Sequence, residues 1–279
     1  MNVLHVCAGW EETNGAAVIA RLVAREQVAR GDTVSFSTWA SPRALRCADE
    51  VWVHCGWLPC LWWAGLLARR SVRMPEACYD PVRLAYRGWK KRLVGPIERF
   101  FLRRAERIVV TCDAEREWVE RYLGKRHPPI EVKDIKKFFD LKRWRREGQE
   151  RRESGRSLHL LYLGRRHPLK GVEFLERAVG EVNVSAPGKV ELRIESSLVG
   201  EEKERAWEWC DALVLPTLSE NFGLVVAEAL ERGKRVITTD GAPVWRGQPG
   251  VAYVEGFRDG ADDSRVRLLC AAIMEVCDA

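Results

Sequence analysis

Short apolar runs alternate with amphipathic stretches along most of the chain. That alternation predicts βαβ units on parallel sheets, since a buried strand needs an apolar run and a covering helix only one apolar face. The run NVLHVCA at 2–8 predicts a first strand, Asn14–Gly15 a turn, and Ala16–Arg30 a helix closed by Gly31. TVSFSTW at 33–39 and EVWVHCG at 50–56 predict the next two strands. Pro96–Arg104 reads as helical, RIVVTC at 107–112 as a strand, and Asp113 as the cap of a helix over Ala114–Leu123.

Between His127 and Arg156 the pattern fails, and the sequence turns polar, charged and weakly periodic. Beyond it the alternation restarts. Strands are predicted at 158–164, 189–196, 212–217 and 235–240, with helices over Gly171–Val179, over Glu201–Cys210, after Gly223 and near Val266–Val276. The expected organisation is two Rossmann-like lobes, residues 1–130 and 131–279, facing each other across a cleft. In open α/β sheets a ligand sits beyond the carboxyl ends of the strands.

Composition changes this picture little. A chain of 279 residues that is 46% hydrophobic and 31% charged suits two globular lobes and excludes a disordered chain. Nine cysteines with no C-x-x-C pair point to reduced thiols rather than a disulfide framework or a zinc site. The opening MNVLHVCAGWEE lacks the basic start of a signal peptide. Val51–Ala68 contains no Lys, Arg, Asp or Glu and approaches the ~20 residues of a spanning helix. His54, Gly56 and Pro59 instead predict a strand, a turn and a short helix there. The net charge of +6 is uneven, with eight basic and two acidic residues between Arg87 and Arg107. Such a run is either a solvated helix face or a patch for anionic lipid or nucleic acid; no nucleic-acid-binding module accompanies it.

Two strand ends carry candidate chemistry. GRRHPLKG at 164–171 sets Arg165 and Lys170 around a proline turn leading into a helix. A helix start favours anions through its free N–H groups, and a guanidinium with an ammonium would complete a diphosphate site. LSENFGLVVAEAL at 218–230 places Glu220 on a loop and Glu228 about one and a half turns into a nearly all-apolar helix. Gly223 between them allows close backbone approach to a ligand.

Together, LGRRHPLKG and, some fifty residues later, CDALVLPTLSENFGLVVAEALERGKRVITTDGAPVW resemble glycosyltransferase family 4, the retaining nucleotide-sugar-dependent enzymes of the GT-B fold. In that family's E-x7-E motif the first glutamate contacts the donor sugar and the second the ribose hydroxyls. By position the resemblance gives these roles to Glu220 and Glu228, and puts Arg165 and Lys170 on the diphosphate. It implies a donor-binding set of Gly164, Arg165, Lys170, Glu220, Asn221, Phe222, Gly223, Leu224 and Glu228. The first half is similar too: HVCAGWEETNGAAV matches the family's opening strand and glycine loop, with Asn14–Gly15 for the usual Gly-Gly. VHCGWLP is like VHGLWSP, with His54 and Trp57 in matching places on the acceptor side. The segment from Tyr79 to Glu115 is similar to members that build lipopolysaccharide and other surface polysaccharides.

The resemblance implies transfer of a sugar from a UDP- or GDP-sugar to a glycan or lipid-linked acceptor with retention of configuration. It implies no metal and no cofactor. The expected setting is cytoplasmic, with the basic-aromatic first lobe touching the inner face of an anionic membrane; no nucleic-acid partner is expected. In two respects the chain departs from the family. Pro75-Glu76-Ala77 stands where many members have Pro-His-Gly, so Glu76 takes the active-site histidine's place in the catalytic set with Glu220, Arg165 and Lys170. Only about 50 residues follow Glu228, so the helix that commonly crosses back to the first lobe is expected to be reduced or absent. These departures keep a second reading open, a non-catalytic nucleotide-sugar-binding or scaffold member.

Overall fold

The computed structural model describes residues 1–11, 14–141 and 156–278. It divides into two compact units, Met1–Ile135 and Lys136–Ala279. The first holds a parallel sheet of β1 (Asn2–Val6), β2 (Thr33–Ser37), β3 (Glu50–His54), β4 (Ser71–Met74), β5 (Arg107–Val110) and β6 (Ile130–Val132), in the order β2-β1-β3-β4-β5-β6. The second holds β7 (Leu158–Leu163), β8 (Val190–Glu195), β9 (Ala212–Leu215), β10 (Arg235–Thr239) and β11 (Val251–Val254), in the order β11-β10-β9-β7-β8, also parallel. Helices between strands cover the sheets, as parallel pairing requires.

Three strands were not anticipated by the pattern: β4, β6 and β11. Each has three or four residues. β4 also contains Arg73, which is fully buried and donates from Nη1 to the Leu61 carbonyl at 3.0 Å. Within the expected linker at 127–156, β6 completes the first sheet and a 3-10 turn forms at Lys136–Phe138; residues 142–155 of that linker lie outside the described ones.

Helix starts show how local chemistry decides. The helix Gly15–Ala29 is capped by Asn14, whose side-chain oxygen accepts from the Ala16 N–H at 3.1 Å. At the helix Asp113–Leu123, however, the cap is Cys112 with no side-chain hydrogen bond. Asp113 sits one residue inside, where its charge still favours the positive end of the helix dipole. The helix expected from Pro96 runs instead over Gly88–Arg103, with Pro96 inside it on the exposed side.

Val51–Ala68 resolves into β3, a turn with positive φ at Cys55 and Trp57, and a helix of nine residues, Pro59–Leu67. Among the described residues, no helix is long and apolar enough to cross a membrane.

Candidate functional site

In the second lobe the candidate residues gather at the carboxyl ends of three neighbouring strands. β7 ends at Leu163, and the chain turns through Gly164, Arg165 and Arg166 into a 3-10 turn at Pro168–Lys170. The Tyr162 hydroxyl donates to the Arg165 carbonyl at 3.0 Å and fixes the start of that turn. Arg166 is spent on a two-pronged pair with Glu176 at 3.1 and 2.6 Å. Arg165 is exposed, and among the described residues it makes no such pair.

The Lys170 turn is strapped to the loop after β9. The Leu169 carbonyl accepts from the Leu218 N–H at 2.9 Å and from the Thr217 hydroxyl at 3.1 Å. Gly171 permits this approach: its φ is +62°, and a Cβ there would lie 2.1 Å from the Pro216 carbonyl oxygen. On the other side the Glu220 N–H donates to the Gly241 carbonyl at 2.8 Å, and a Cβ on Gly241 would lie 2.0 Å from the Thr217 carbonyl. Three strand exits are thus held in backbone contact. The result places the Lys170 ammonium in an ion pair with the Glu220 carboxylate, at 19% and 16% side-chain exposure.

Glu220 also accepts from the Asn221 N–H at 3.1 Å. Behind it Phe222 is buried against Trp245, whose indole N–H donates to the Phe222 carbonyl. Gly223, with φ +73°, then opens the helix Leu224–Glu231. Glu228 lies on that helix and pairs with Lys203 of the helix Gly200–Trp209 at 2.7 Å. The structure therefore joins Lys170 and Glu220 directly and gives Glu228 a different cation.

In the first lobe His54 and Glu76 meet, buried, at the carboxyl ends of β3 and β4, while Asn14 and Trp57 are half-buried and Gly15 is exposed. His54 ends β3; its Nδ1 lies 2.9 Å from Glu76 Oε1 and its Nε2 lies 2.9 Å from His5 Nδ1. His5 Nε2 lies 2.7 Å from Gln27 Oε1. All four side chains are at most 5% exposed. Burial pushes the Glu76 carboxyl up to about 8 and both imidazoles down to about 3, because each charged form would lose its hydration. Glu76 and Ala77 both have positive φ, +54° and +59°. Glu115 holds this left-handed loop by accepting from the Ala77 N–H at 2.6 Å. The Glu76 side chain thus points into the lobe towards His54. Trp57 sits beside it, donating from its indole to the Cys78 carbonyl at 3.3 Å, while Asn14 and Gly15 begin the first helix.

Sequence reasoning missed His5, Gln27, Glu98, Glu115, Lys203, Thr217 and Gly241. His5 had a signal, a titratable residue inside the apolar strand NVLHV matching His54 at the end of EVWVH. Lys203 and Gln27 had none, because a single polar residue on a helix carries no mark of its tertiary partner. Among the described residues, no group of three or more His, Cys, Asp or Glu is arranged to hold a metal ion.

Residues 10–133 match the glycosyl transferase 4-like domain. Across the whole chain the fold is similar to sucrose-phosphate synthase from Thermosynechococcus elongatus, with TM-score 0.70 and 14% identity over 99% of this chain and 89% of that one. It is similar to Anabaena HepE in complex with UDP-glucose, with TM-score 0.65 and 14% identity over 99% and 90%. It is also similar to WaaG, a glycosyltransferase involved in lipopolysaccharide biosynthesis, with TM-score 0.63 and 12% identity over 98% and 90%. No curated protein matches the sequence.

Proposed function

We propose that this protein transfers a sugar from a nucleotide sugar to a glycan or lipid-linked acceptor, since residues 10–133 match the glycosyl transferase 4-like domain and the chain has the GT-B fold. The observation that carries the reading is the Lys170–Glu220 pair, held at the strand ends by backbone straps beside the exposed Arg165. UDP-glucose, the ligand in the HepE complex, is a donor of the fitting class.

Departure of a nucleoside diphosphate builds negative charge on its terminal phosphate. Arg165 and Lys170 supply positive charge where that happens, which lowers the barrier by electrostatic stabilisation. A diphosphate engaging Lys170 exchanges with Glu220, which frees the Glu220 carboxylate to accept from sugar hydroxyls. Glu228 takes the ribose hydroxyls, with Lys203 orienting its carboxylate. Retention of the anomeric configuration is part of this proposal and follows from the resemblance.

Lys170→Ala and Glu220→Ala are each expected to lower donor turnover by orders of magnitude with an unchanged circular dichroism spectrum. Wild-type turnover in both would overturn the assignment. The buried, inward-facing Glu76 favours the second reading of a nucleotide-sugar-binding protein without transfer. Tight UDP-sugar binding with neither transfer nor donor hydrolysis would establish that instead.

The acceptor side carries a surface suited to lipid. On the helix Gly88–Arg103 the residues Trp89, Leu93, Ile97 and Phe100 are 46–71% exposed and share one face. Lys90, Arg92 and Arg104 flank them. We propose that this helix lies on an anionic membrane surface, apolar side down.

A further inference from the structure

The buried hydrogen bonds of the first lobe determine where their protons are. Gln27 presents its carbonyl oxygen to His5 Nε2 at 2.7 Å, and a carbonyl only accepts, so His5 carries its proton on Nε2. His5 Nδ1 must then accept, and His54 Nε2, 2.9 Å away, must donate. A neutral His54 with its proton on Nε2 has a bare Nδ1. That nitrogen lies 2.9 Å from Glu76 Oε1, so the proton of this last bond belongs to the carboxyl.

We propose that Glu76 is a positioning residue that works as a neutral acid: it donates its proton to His54, heads a one-way chain from Glu76 through His54 and His5 to Gln27, and so clamps the left-handed Pro75–Asp80 loop onto the ends of β1 and β3. The clamp holds only while Glu76 keeps its proton. This assignment of protons rests on the chain's geometry and does not depend on transferase activity. It deepens the proposed function only in that the loop is where the resemblance puts a sugar-contacting histidine.

The surroundings favour the neutral form. Cys55 Sγ, from the exit of β3, lies 3.9 Å from Glu76 Oε2. Cys7, at the end of β1, and Glu115, on the helix Asp113–Leu123, sense the Glu76 charge, and ionisation of either would oppose it. Arg83, on the helix Pro81–Ala85, is a cation acting on it and is outweighed by burial. Both histidines resist protonation for the same reason, so an imidazolium–carboxylate pair would put two charges where the lobe solvates none.

The loop has its own reporter, the Trp57 indole N–H bonded to the Cys78 carbonyl. Nitrogen-15 NMR of the full chain at pH 6.5 is expected to show His5 and His54 both neutral, with protons on Nε2. Raising the pH through about 8 removes the Glu76 proton and should shift His54 Nδ1 and the Trp57 indole resonance together. Glu76→Gln replaces the acid O–H with an amide N–H that cannot ionise, so it should keep both tautomers and abolish that titration. Thermal unfolding gives a second measure. Glu76 binds its proton more tightly folded than unfolded, so between its ordinary 4.5 and about 8 it makes stability fall as pH rises. Below 6.5 the two histidines act the other way, since the folded lobe refuses protons that the unfolded chain accepts. Wild type is therefore expected to lose melting temperature between pH 6.5 and 8. Glu115 is shifted in the same direction but is present in both proteins, so a shallower fall in Glu76→Gln isolates the Glu76 share. A wild-type His54 with its proton on Nδ1 would mean a rotated Gln27 amide and an ionised Glu76, and would overturn the proposal whether or not the variant folds. The same titration persisting in Glu76→Gln would overturn it too.

Discussion

Glu98 is fully buried and accepts from the Trp57 N–H at 3.1 Å, the Trp62 indole and the Tyr79 hydroxyl. Each buried donor left without a partner costs about 1–3 kcal/mol. Glu98→Ala is therefore expected to destabilise the first lobe by about 3–5 kcal/mol after partial relaxation, read as a lower urea midpoint. The Lys170–Glu220 pair behaves differently. At 19% and 16% side-chain exposure it is partly solvated, and such pairs contribute about 1 kcal/mol or less. Its loss should thus cost function far more than stability, which is what makes the two alanine variants informative. The contrast between the carboxyls was not legible in the sequence. Glu220 and Glu228 announced themselves by motif spacing, whereas Glu98 sits in a basic run and reads there as one more surface charge.

Two elements carry their function in their geometry. The Lys170 turn reaches the β9 exit only because Gly171 has no Cβ. Gly171→Ala puts a carbon 2.1 Å from the Pro216 carbonyl at a φ of +62°. The expected cost is about 2–3 kcal/mol, with donor binding weakened because Lys170 moves. Isothermal titration with UDP on the folded variant would show it. The helix Gly88–Arg103 is amphipathic in the inverted sense. Gly95, Glu98 and Leu102 face inward, and Trp89, Leu93, Ile97 and Phe100 face out. A double change Leu93→Ser with Phe100→Ser should reduce co-sedimentation with phosphatidylserine-containing vesicles several-fold, and high salt should weaken wild-type binding. Binding equal on neutral and anionic vesicles would remove the basic rim from the account. In the sequence the tryptophans of this region carry no mark of core or surface. The structure splits them: Trp62 stacks on Phe101 with ring centroids 6.1 Å apart, while Trp63 and Trp89 are 56% and 63% exposed.

For the whole molecule, each sheet places its candidate chemistry at one edge, the carboxyl ends of its strands, as parallel α/β sheets do. A ligand that binds only the native state stabilises it by RT ln(1 + [L]/Kd), about 2.7 kcal/mol at a hundredfold excess over Kd, and so raises the melting temperature. UDP or GDP is therefore expected to raise melting of the wild-type chain, with the shift lost in Lys170→Ala. A base-indifferent shift would assign recognition to the diphosphate, and no shift with either nucleotide would count against a donor site in the second lobe.

The sequence by itself determined the two-lobe α/β plan, most of the strands and helices, and the Arg165, Lys170, Glu220 and Glu228 signature. These are local patterns, set by periodicity and by spacings within a single strand–loop–helix unit. Only the tertiary structure decided that Lys170 pairs with Glu220, that Lys203 holds Glu228, and that Glu76 faces His54 and, through it, His5 and Gln27. Those contacts join residues 22 to 50 positions apart. What fixes them is strand order and close backbone approach, and neither leaves a mark on the residues that meet.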